Sequence, residues 1–215
     1  MKRFVLAALA LLACGPAGPA APTERYGFIT RLGRDTVSVE SVARRGNTVT
    51  SDGVDRFPRV RRRHTEIELR ADGGIRRLVM DIHTASEPAE QRERHVVADV
   101  TTDSVRVVKR DGTGTVTRVF ATHGGVAMAH LPQVYSLYEL YFAAALTRAA
   151  AANKRSAGDT VQMRQFYIDR EFDRFPLGHG IVRIVSDSTA EIDHDWLAGT
   201  GVATFDSARH MLRYS

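Results

Sequence analysis

Residues 191–196 form the densest group of side chains whose types and spacing could support chemistry. Glu191, Asp193 and Asp195 alternate with residues that include His194. Successive side chains of a β-strand point to opposite faces, so the three carboxylates would share one face. They could hold Ca²⁺, although such sites draw their oxygen ligands from several segments or from a turning loop. We interpret the segment as an acidic, solvated outer face, with His194 as a hydrogen-bonded core residue.

The histidines offer a second kind of chemistry. None of the eight has the spacing of an HExxH metal site. The run His123-Gly124-Gly125 resembles an oxyanion-hole turn, but no G-x-S-x-G nucleophile motif accompanies it. A hydrolase or a metal enzyme would need His123, His130 and His179 to converge with the carboxylates of 191–195. The sequence therefore assigns no catalytic residue, metal ligand or cofactor, and the enzyme hypothesis is the least favoured.

A basic run at 56–64 is the third group. Strand alternation places Arg59, Arg61 and Arg63 on one face. On an exposed strand these guanidinium groups could bind anionic lipid or polysaccharide through paired hydrogen bonds. They could equally form a solvated face that protects a sheet edge from aggregation. Because Ile67 has the same parity as the arginines, we expect a β-bulge between them and the apolar part of the strand.

The first thirteen residues have the organisation of a secretory signal peptide. Lys2 and Arg3 precede ten apolar residues, Phe4–Ala13. A helix needs about 20 residues to cross about 30 Å of hydrocarbon, so this run is too short to span a membrane. The run ends at Cys14, which is the only cysteine in the chain.

Residues 11–14, Leu-Leu-Ala-Cys, resemble the lipobox of bacterial lipoproteins. The resemblance implies cleavage before Cys14, lipidation of this cysteine and a membrane as partner through the lipid anchor. It also places the protein in the cell envelope, on the extracytoplasmic side. Gly15 occupies the position where an aspartate would favour the inner membrane, so the outer membrane is favoured where one exists. The alternative is an ordinary signal peptide cut near Ala17 or Ala20.

Composition divides the chain into a signal peptide at 1–13, a lipidated cysteine with a flexible Gly/Pro/Ala linker at 14–23, and one β-rich domain at 24–215. Removal of the two basic residues in the signal peptide lowers the formal net charge from +5 to +3. This imbalance is too small for a nucleic-acid-binding surface, so nucleic acid is not an expected partner.

Period-two alternation dominates the domain. Strand openings such as Asp35-Thr36-Val37, Asp103-Ser104-Val105 and Asp159-Thr160-Val161 recur, and turns such as Asp111-Gly112 separate the strands. The pattern predicts a mainly β fold, a curved antiparallel meander of about 10–13 strands that forms a half-barrel or an open barrel. The predicted strands are 25–31, 35–44, 47–55, 59–70, 75–84, 93–101, 104–110, 115–122, 159–169, 180–187, 189–197, 200–206 and 209–214.

One segment, near 133–152, has helical spacing instead. Its apolar residues recur every three or four positions, Pro132 suits a helix start, and it is rich in alanine. We expect an amphipathic helix packed on the concave face of the sheet. Core packing is one role for its aromatic stripe. The other is to line an apolar ligand cavity between sheet and helix, for which the candidate residues are Tyr135, Tyr138, Tyr141 and Phe142.

The strand openings, the Asp-Gly turns and the tyrosine-rich helix together resemble extracytoplasmic β-meander domains of unknown function. More distantly, they resemble half-barrel lipoprotein carriers, in which helices plug a curved antiparallel sheet. The second resemblance implies binding of acyl chains or other apolar ligands, by analogy of fold alone. We therefore expect a membrane-tethered binding module with a cavity for a lipid or other apolar ligand. The alternative is a structural or assembly protein of the envelope that acts through protein contacts.

Overall fold

Alternating polar and branched apolar residues build a first sheet of eight antiparallel strands, each paired with its neighbour in sequence. We call it the meander sheet. The structure is a computed structural model, and it describes residues 22–168, 176–196 and 199–215. The strands are β1 (Thr23–Leu32), β2 (Asp35–Arg45), β3 (Thr48–Asp55), β4 (Arg61–Leu69), β5 (Ile75–His83), β6 (Glu93–Val100), β7 (Ser104–Asp111) and β8 (Gly114–Ala121). The predicted signal peptide, Cys14 and most of the linker lie outside the described residues.

The second sheet has six strands in the order β14-β13-β12-β11-β10-β9. They are β9 (Ala127–His130), β10 (Thr160–Tyr167), β11 (Gly178–Ser186), β12 (Thr189–His194), β13 (Gly201–Phe205) and β14 (Met211–Tyr214). The mainly antiparallel β prediction is confirmed, and one sheet curls into a half-barrel. Strand β9 was not predicted, and it pairs with β10 in parallel. A parallel pair needs a long crossover connection, and a helix supplies it here.

That crossover is α2 (Tyr135–Ala151), which lies between the two sheets. On one side, Ser136 binds the side chain of Glu40 in β2. On the other side, the rings of Phe142 and Phe205 in β13 are 5.5 Å apart. Because α2 contacts a sheet on both sides, the side chains of its first two turns are buried on nearly every face. This part of the helix therefore has no polar, solvent-exposed face.

A second, short helix, α1 (Ala89–Arg92), connects β5 to β6 and was not predicted. Neither described helix has the length and hydropathy of a membrane span. The apolar core fills the space between the sheets, and its largest fully buried side chains include Leu78, Met80, Tyr141, Phe142 and Phe166. The helix α2 supplies two of these side chains, Tyr141 and Phe142, to the core between the two sheets.

Candidate functional site

The two sheets each end in an edge strand, and a groove of about 800 Å³ separates these edges. One edge is β1 and the other is β14, and among the described strands each has a partner on one side only. We call this space the edge groove. Its lining residues are Tyr26, Gly27, Phe28, Ile29, Thr30, Arg31, Tyr135, Asp206, His210, Met211, Leu212, Arg213, Tyr214 and Ser215.

Aromatic rings form the floor of the edge groove. Tyr135, in the first turn of α2, lies with its ring centroid 6.2 Å from that of Phe28 and 5.8 Å from that of Tyr214. The ring of Tyr26 meets Phe28 edge-on at 5.8 Å. Aromatic side chains give a rigid apolar surface, while tyrosine adds hydroxyl groups that can donate or accept hydrogen bonds. The floor can therefore hold an apolar chain along a polar margin.

A buried carboxylate links both walls of the edge groove to the helix. Glu139 follows Tyr135 by one helical turn, and its side chain is buried. The Tyr26 hydroxyl of β1 donates to Glu139 Oε1 at 2.5 Å, and the Met211 N–H of β14 donates to Oε2 at 3.0 Å. Burial raises the pKa of Glu139, against the opposing effect of these two hydrogen bonds. The link keeps the two edges at a fixed separation.

The rim of the edge groove mixes polar and apolar groups. Ile29 and Leu212 are 63% and 68% exposed, so an apolar side chain stands on each wall. Nearby, partial burial lowers the pKa of His210, but its hydrogen bonds with Glu24 and Asp206 outweigh this effect and raise that pKa above the usual value. This combination suits a ligand with both apolar and polar parts.

The four predicted ligand residues of α2 have different surroundings. Tyr135 lines the edge groove, whereas Tyr138, Tyr141 and Phe142 are buried in the core. Within the described part of the chain, the space beside Tyr138 and Tyr141 is too small for a water molecule. The cavity predicted between sheet and helix is therefore absent at these two tyrosines, because the helix packs directly against the second sheet.

The predicted anion-binding arginines lie mostly inside the protein. Arg61 and Arg63 are 8% and 3% exposed and bind Asp55, which is fully buried. The Arg63 Nη2 group donates to Asp55 Oδ1 at 2.8 Å, and the Arg61 Nε group donates to Oδ2 at 2.6 Å. Glu40 Oε1 lies 3.8 Å from Arg63 Nη1. We call these four residues the buried ionic cluster.

Strand register explains the buried ionic cluster. Pairing of β3 with β4 is continuous from Asp55–Arg61 to Thr48–Glu68. The bulge expected between the arginines and Ile67 is therefore wrong, and the arginines share the buried face with Ile67. The pairing of β4 with β5 shifts register only after Ile67, at Glu68/Leu69. A Cβ atom on Gly53 would lie 2.6 Å from Arg63 Nη2, so the guanidinium group packs flat against this glycine.

The buried ionic cluster also holds the start of α2. Glu40 accepts hydrogen bonds from the Ser136 backbone N–H at 3.1 Å and from its hydroxyl at 2.6 Å. First-turn N–H groups of a helix have no partner within the helix, and a negative charge there is favourable. Burial favours a higher pKa for Asp55, but hydrogen bonds and charge from Arg63 and Arg61 hold it below the usual value.

Arg59 differs from the other two arginines. Its side chain is half exposed and pairs with buried Glu87, which follows β5. The three arginines thus do not form one exposed surface, because two of them are enclosed with their counter-charges. Anion binding by Arg59, Arg61 and Arg63 stays a prediction.

The acidic segment and the histidines are spread over different places. Asp193 and Asp195 are exposed, and His194 is buried, as expected for a solvated outer face. The ring of His194 meets that of His130 edge-on, with ring centroids 5.1 Å apart. Burial lowers the pKa of both rings, that of His130 to about 3. Among the described residues, no three His, Cys, Asp or Glu side chains are arranged to hold a metal ion.

Comparison with solved structures finds a similar fold over almost the whole chain. A DUF1089 family protein from Pseudomonas aeruginosa matches with a TM-score of 0.60, covering 99% of this chain and 97% of that one. The fold is shared. The two sequences are 12% identical, so the likeness extends to the architecture alone. No family model matches the chain, and no curated protein matches it.

Proposed function

We propose that this protein is an extracytoplasmic binding module, tethered to a membrane through Cys14, that holds an elongated amphipathic lipid in the edge groove. The observation that carries the proposal is the aromatic floor of that groove, formed where the two sheets leave their edges apart. Its volume of about 800 Å³ lies within the range of about 300–1,000 Å³ that is usual for small-molecule sites.

The arrangement of groups supports a lipid rather than a wholly polar ligand. An acyl chain can lie on Phe28 and Tyr135 between Ile29 and Leu212. Arg213, on the β14 wall, can bind a phosphate or carboxylate at the polar end of the molecule. The groove is partly open to solvent, so a lipid can enter it without separating the sheets.

The position of β1 supports the tether. Cys14 precedes Thr23, the first residue of β1, by nine residues. An extended chain of this length reaches about 30 Å, so lipidation at Cys14 would keep the domain close to the membrane surface. Each buried methylene of the acyl chains would contribute about 0.8 kcal/mol to anchoring.

The lipid proposal predicts that protein purified from its own membrane retains a lipid visible by native mass spectrometry. A fluorescent fatty-acid analogue titrated into the delipidated protein should bind in the edge groove. The variant Leu212→Asp, which places a charge against the acyl chain, should bind the analogue about tenfold more weakly or worse.

Val119→Asp is the matched control, because Val119 is 59% exposed and lies on β8, at the opposite edge of the meander sheet. It should bind the analogue like the wild type. Equal affinities of the two variants, or no retained lipid together with no binding of the analogue, would refute the proposal.

The tether predicts that radiolabelled palmitate enters the wild-type protein and that Cys14→Ser abolishes labelling. The variant should also move from the membrane fraction to the soluble fraction. Ala17→Ser, which leaves the cysteine intact, is the control and should be labelled normally. A mature protein that begins after Ala17 or Ala20 would show instead that Cys14 is removed with the signal peptide.

The second candidate function is assembly with an envelope protein through strand addition. It rests on a specific observation: among the described strands, β1 and β14 both have an unpaired edge beside the edge groove. An extended partner segment could pair with either edge through backbone hydrogen bonds. A photo-crosslinking residue at Leu212 that yields a protein adduct in cells, with no lipid retained, would favour this function over lipid binding.

A further inference from the structure

A second cavity, of about 340 Å³, lies away from the edge groove, where the β8–β9 connection and the last turn of α2 meet β10 and β11. The His123-Gly124-Gly125 run, whose sequence resembles an oxyanion-hole turn, is part of its lining. Its lining residues are Thr122, His123, Gly124, Gly125, Arg148, Gln162, Met163, Arg164, His179, Gly180 and Ile181. We call it the arginine pocket.

Two arginines without an ion-pair partner among the described residues line the arginine pocket. Arg148 comes from the last turn of α2, and its Nε atom is buried without a hydrogen-bond acceptor. Arg164 comes from β10 and lies across Gly125, where an added Cβ would be 3.0 Å from Arg164 Cγ. In the buried ionic cluster, by contrast, the enclosed Arg61 and Arg63 both form ion pairs with the carboxylate of Asp55. Arg148 and Arg164 form no ion pair with a carboxylate of the described residues, although the charge of Arg148 acts on Asp72.

The turn at the mouth of the arginine pocket adds backbone donors. His123 and Gly124 both have positive φ, at 50° and 76°, and the Gly125 N–H closes the turn on the Thr122 carbonyl at 2.9 Å. The N–H groups of His123 and Gly124 bind no acceptor within the described chain. Successive backbone N–H groups in a turn can form a concavity that binds an anion.

Charge in the arginine pocket is one-sided. The lining side chains bring two guanidinium groups, two imidazoles and an amide, and none of these described lining groups is a carboxylate. Two acidic groups lie beside the pocket without lining it. Asp195 accepts a hydrogen bond from the backbone N–H of His179 at 2.8 Å and lies 3.5 Å from the Nδ1 atom of the same residue. Asp72 accepts hydrogen bonds from Arg70 and Gly74, and the charge of Arg148 lowers its pKa. The pocket thus offers donors and positive charge to an oxyanion.

We propose that the arginine pocket binds the phosphate group of a small organic phosphate. Donors reach it from three elements, the helix end, β10 and the His123–Gly124 turn, and this spread suits a tetrahedral group better than a flat carboxylate. The volume exceeds that of one phosphate, so the organic part of the ligand also fits. The proposal does not depend on lipid binding in the edge groove.

The test is isothermal titration of the full chain, held in detergent micelles, with inorganic phosphate and with glycerol 3-phosphate. Arg148→Gln and Arg164→Gln should each weaken binding about tenfold or more, the usual effect of losing a charge-assisted hydrogen bond. Arg183→Gln is the matched control. It removes the same charge from β11 of the same sheet, at an arginine that is exposed and outside the pocket.

Each outcome decides the assignment. Weaker binding by both pocket variants, with Arg183→Gln unchanged and thermal unfolding of all three intact, supports it. Glycerol 3-phosphate binding would indicate a soluble ligand, and binding of phosphatidic acid in the same micelles would indicate a lipid headgroup. No binding of any of these phosphates, equal weakening by Arg183→Gln, or acetate that competes as well as phosphate would overturn it.

Discussion

Replacement of Asp55 by asparagine is expected to lower the free energy of unfolding by about 3–5 kcal/mol, the usual cost of removing one partner from a buried ion pair. Asp55 is fully buried and accepts hydrogen bonds from Arg61, Arg63 and Ser38. The neutral amide would leave two enclosed guanidinium groups with only Glu40 as a counter-charge within the buried ionic cluster. Urea unfolding followed by circular dichroism measures the change.

Asp52→Asn is the control on the same strand, because Asp52 is exposed and pairs with the exposed His64. Its effect should stay within about 0.5 kcal/mol, as for other surface pairs. A midpoint for Asp55→Asn no lower than that of Asp52→Asn would show that the buried ionic cluster does not stabilise the fold.

The stability lost through Asp55→Asn should also depend on pH. The pKa of Asp55 is lower in the folded protein than its ordinary value, so its contribution to stability is complete above about pH 4, the pKa of an unfolded aspartate. That contribution is lost as the pH falls through the folded pKa. The difference in stability between the wild type and Asp55→Asn should therefore shrink in acid.

Gly180→Ala is the second substitution with a large expected effect, a loss of about 1–3 kcal/mol from overpacking. A Cβ atom at this position of β11 would lie 2.2 Å from the Tyr141 hydroxyl and 3.3 Å from Tyr141 Cζ. Tyr141 is 1% exposed on α2, so its ring has no free space to move into. The clash would force the helix and the second sheet apart, which thermal or urea unfolding would register.

A double-mutant cycle with Tyr141→Phe isolates this clash. The Tyr141 hydroxyl is buried and has no hydrogen-bond partner among the described residues, so Tyr141→Phe alone should change stability by less than about 1 kcal/mol. When Gly180→Ala is combined with Tyr141→Phe, it should cost much less than in the wild type, because the clashing oxygen is gone. Additive effects of the two substitutions would contradict the packing of the helix against β11.

Much of the fold follows from local chemistry. Buried and more exposed positions alternate along most strands of the meander sheet, most regularly in β4, and Asp-Gly or Gly-Asn turns mark several of their ends. The helix was predicted at 133–152 and is found at Tyr135–Ala151, since its alanine-rich composition leaves little ambiguity. Strand β9 was not predicted because its four residues are all buried. A fully buried strand shows no alternation of polar and apolar residues in its sequence.

The functional surfaces were harder to predict. Arg61 and Arg63 were expected to be exposed because arginine usually is, yet their parity with Ile67 and the acidic residues on β2 and β3 were signals of burial. The edge groove could not be predicted from a sequence motif, because it is formed by the relative positions of the two edge strands β1 and β14. The arginine pocket joins residues from 122 to 181, and only the His-Gly-Gly run of its turn stood out in the sequence.

The place of α2 along the chain bears on the order of events during synthesis. All eight meander strands precede the helix and pair with sequence neighbours, so they can close as successive hairpins. Their apolar side stays open until residues 135–151 have emerged. A nascent chain that stops before this point exposes the apolar face of the meander sheet. Premature termination there would therefore yield aggregates rather than a smaller stable protein.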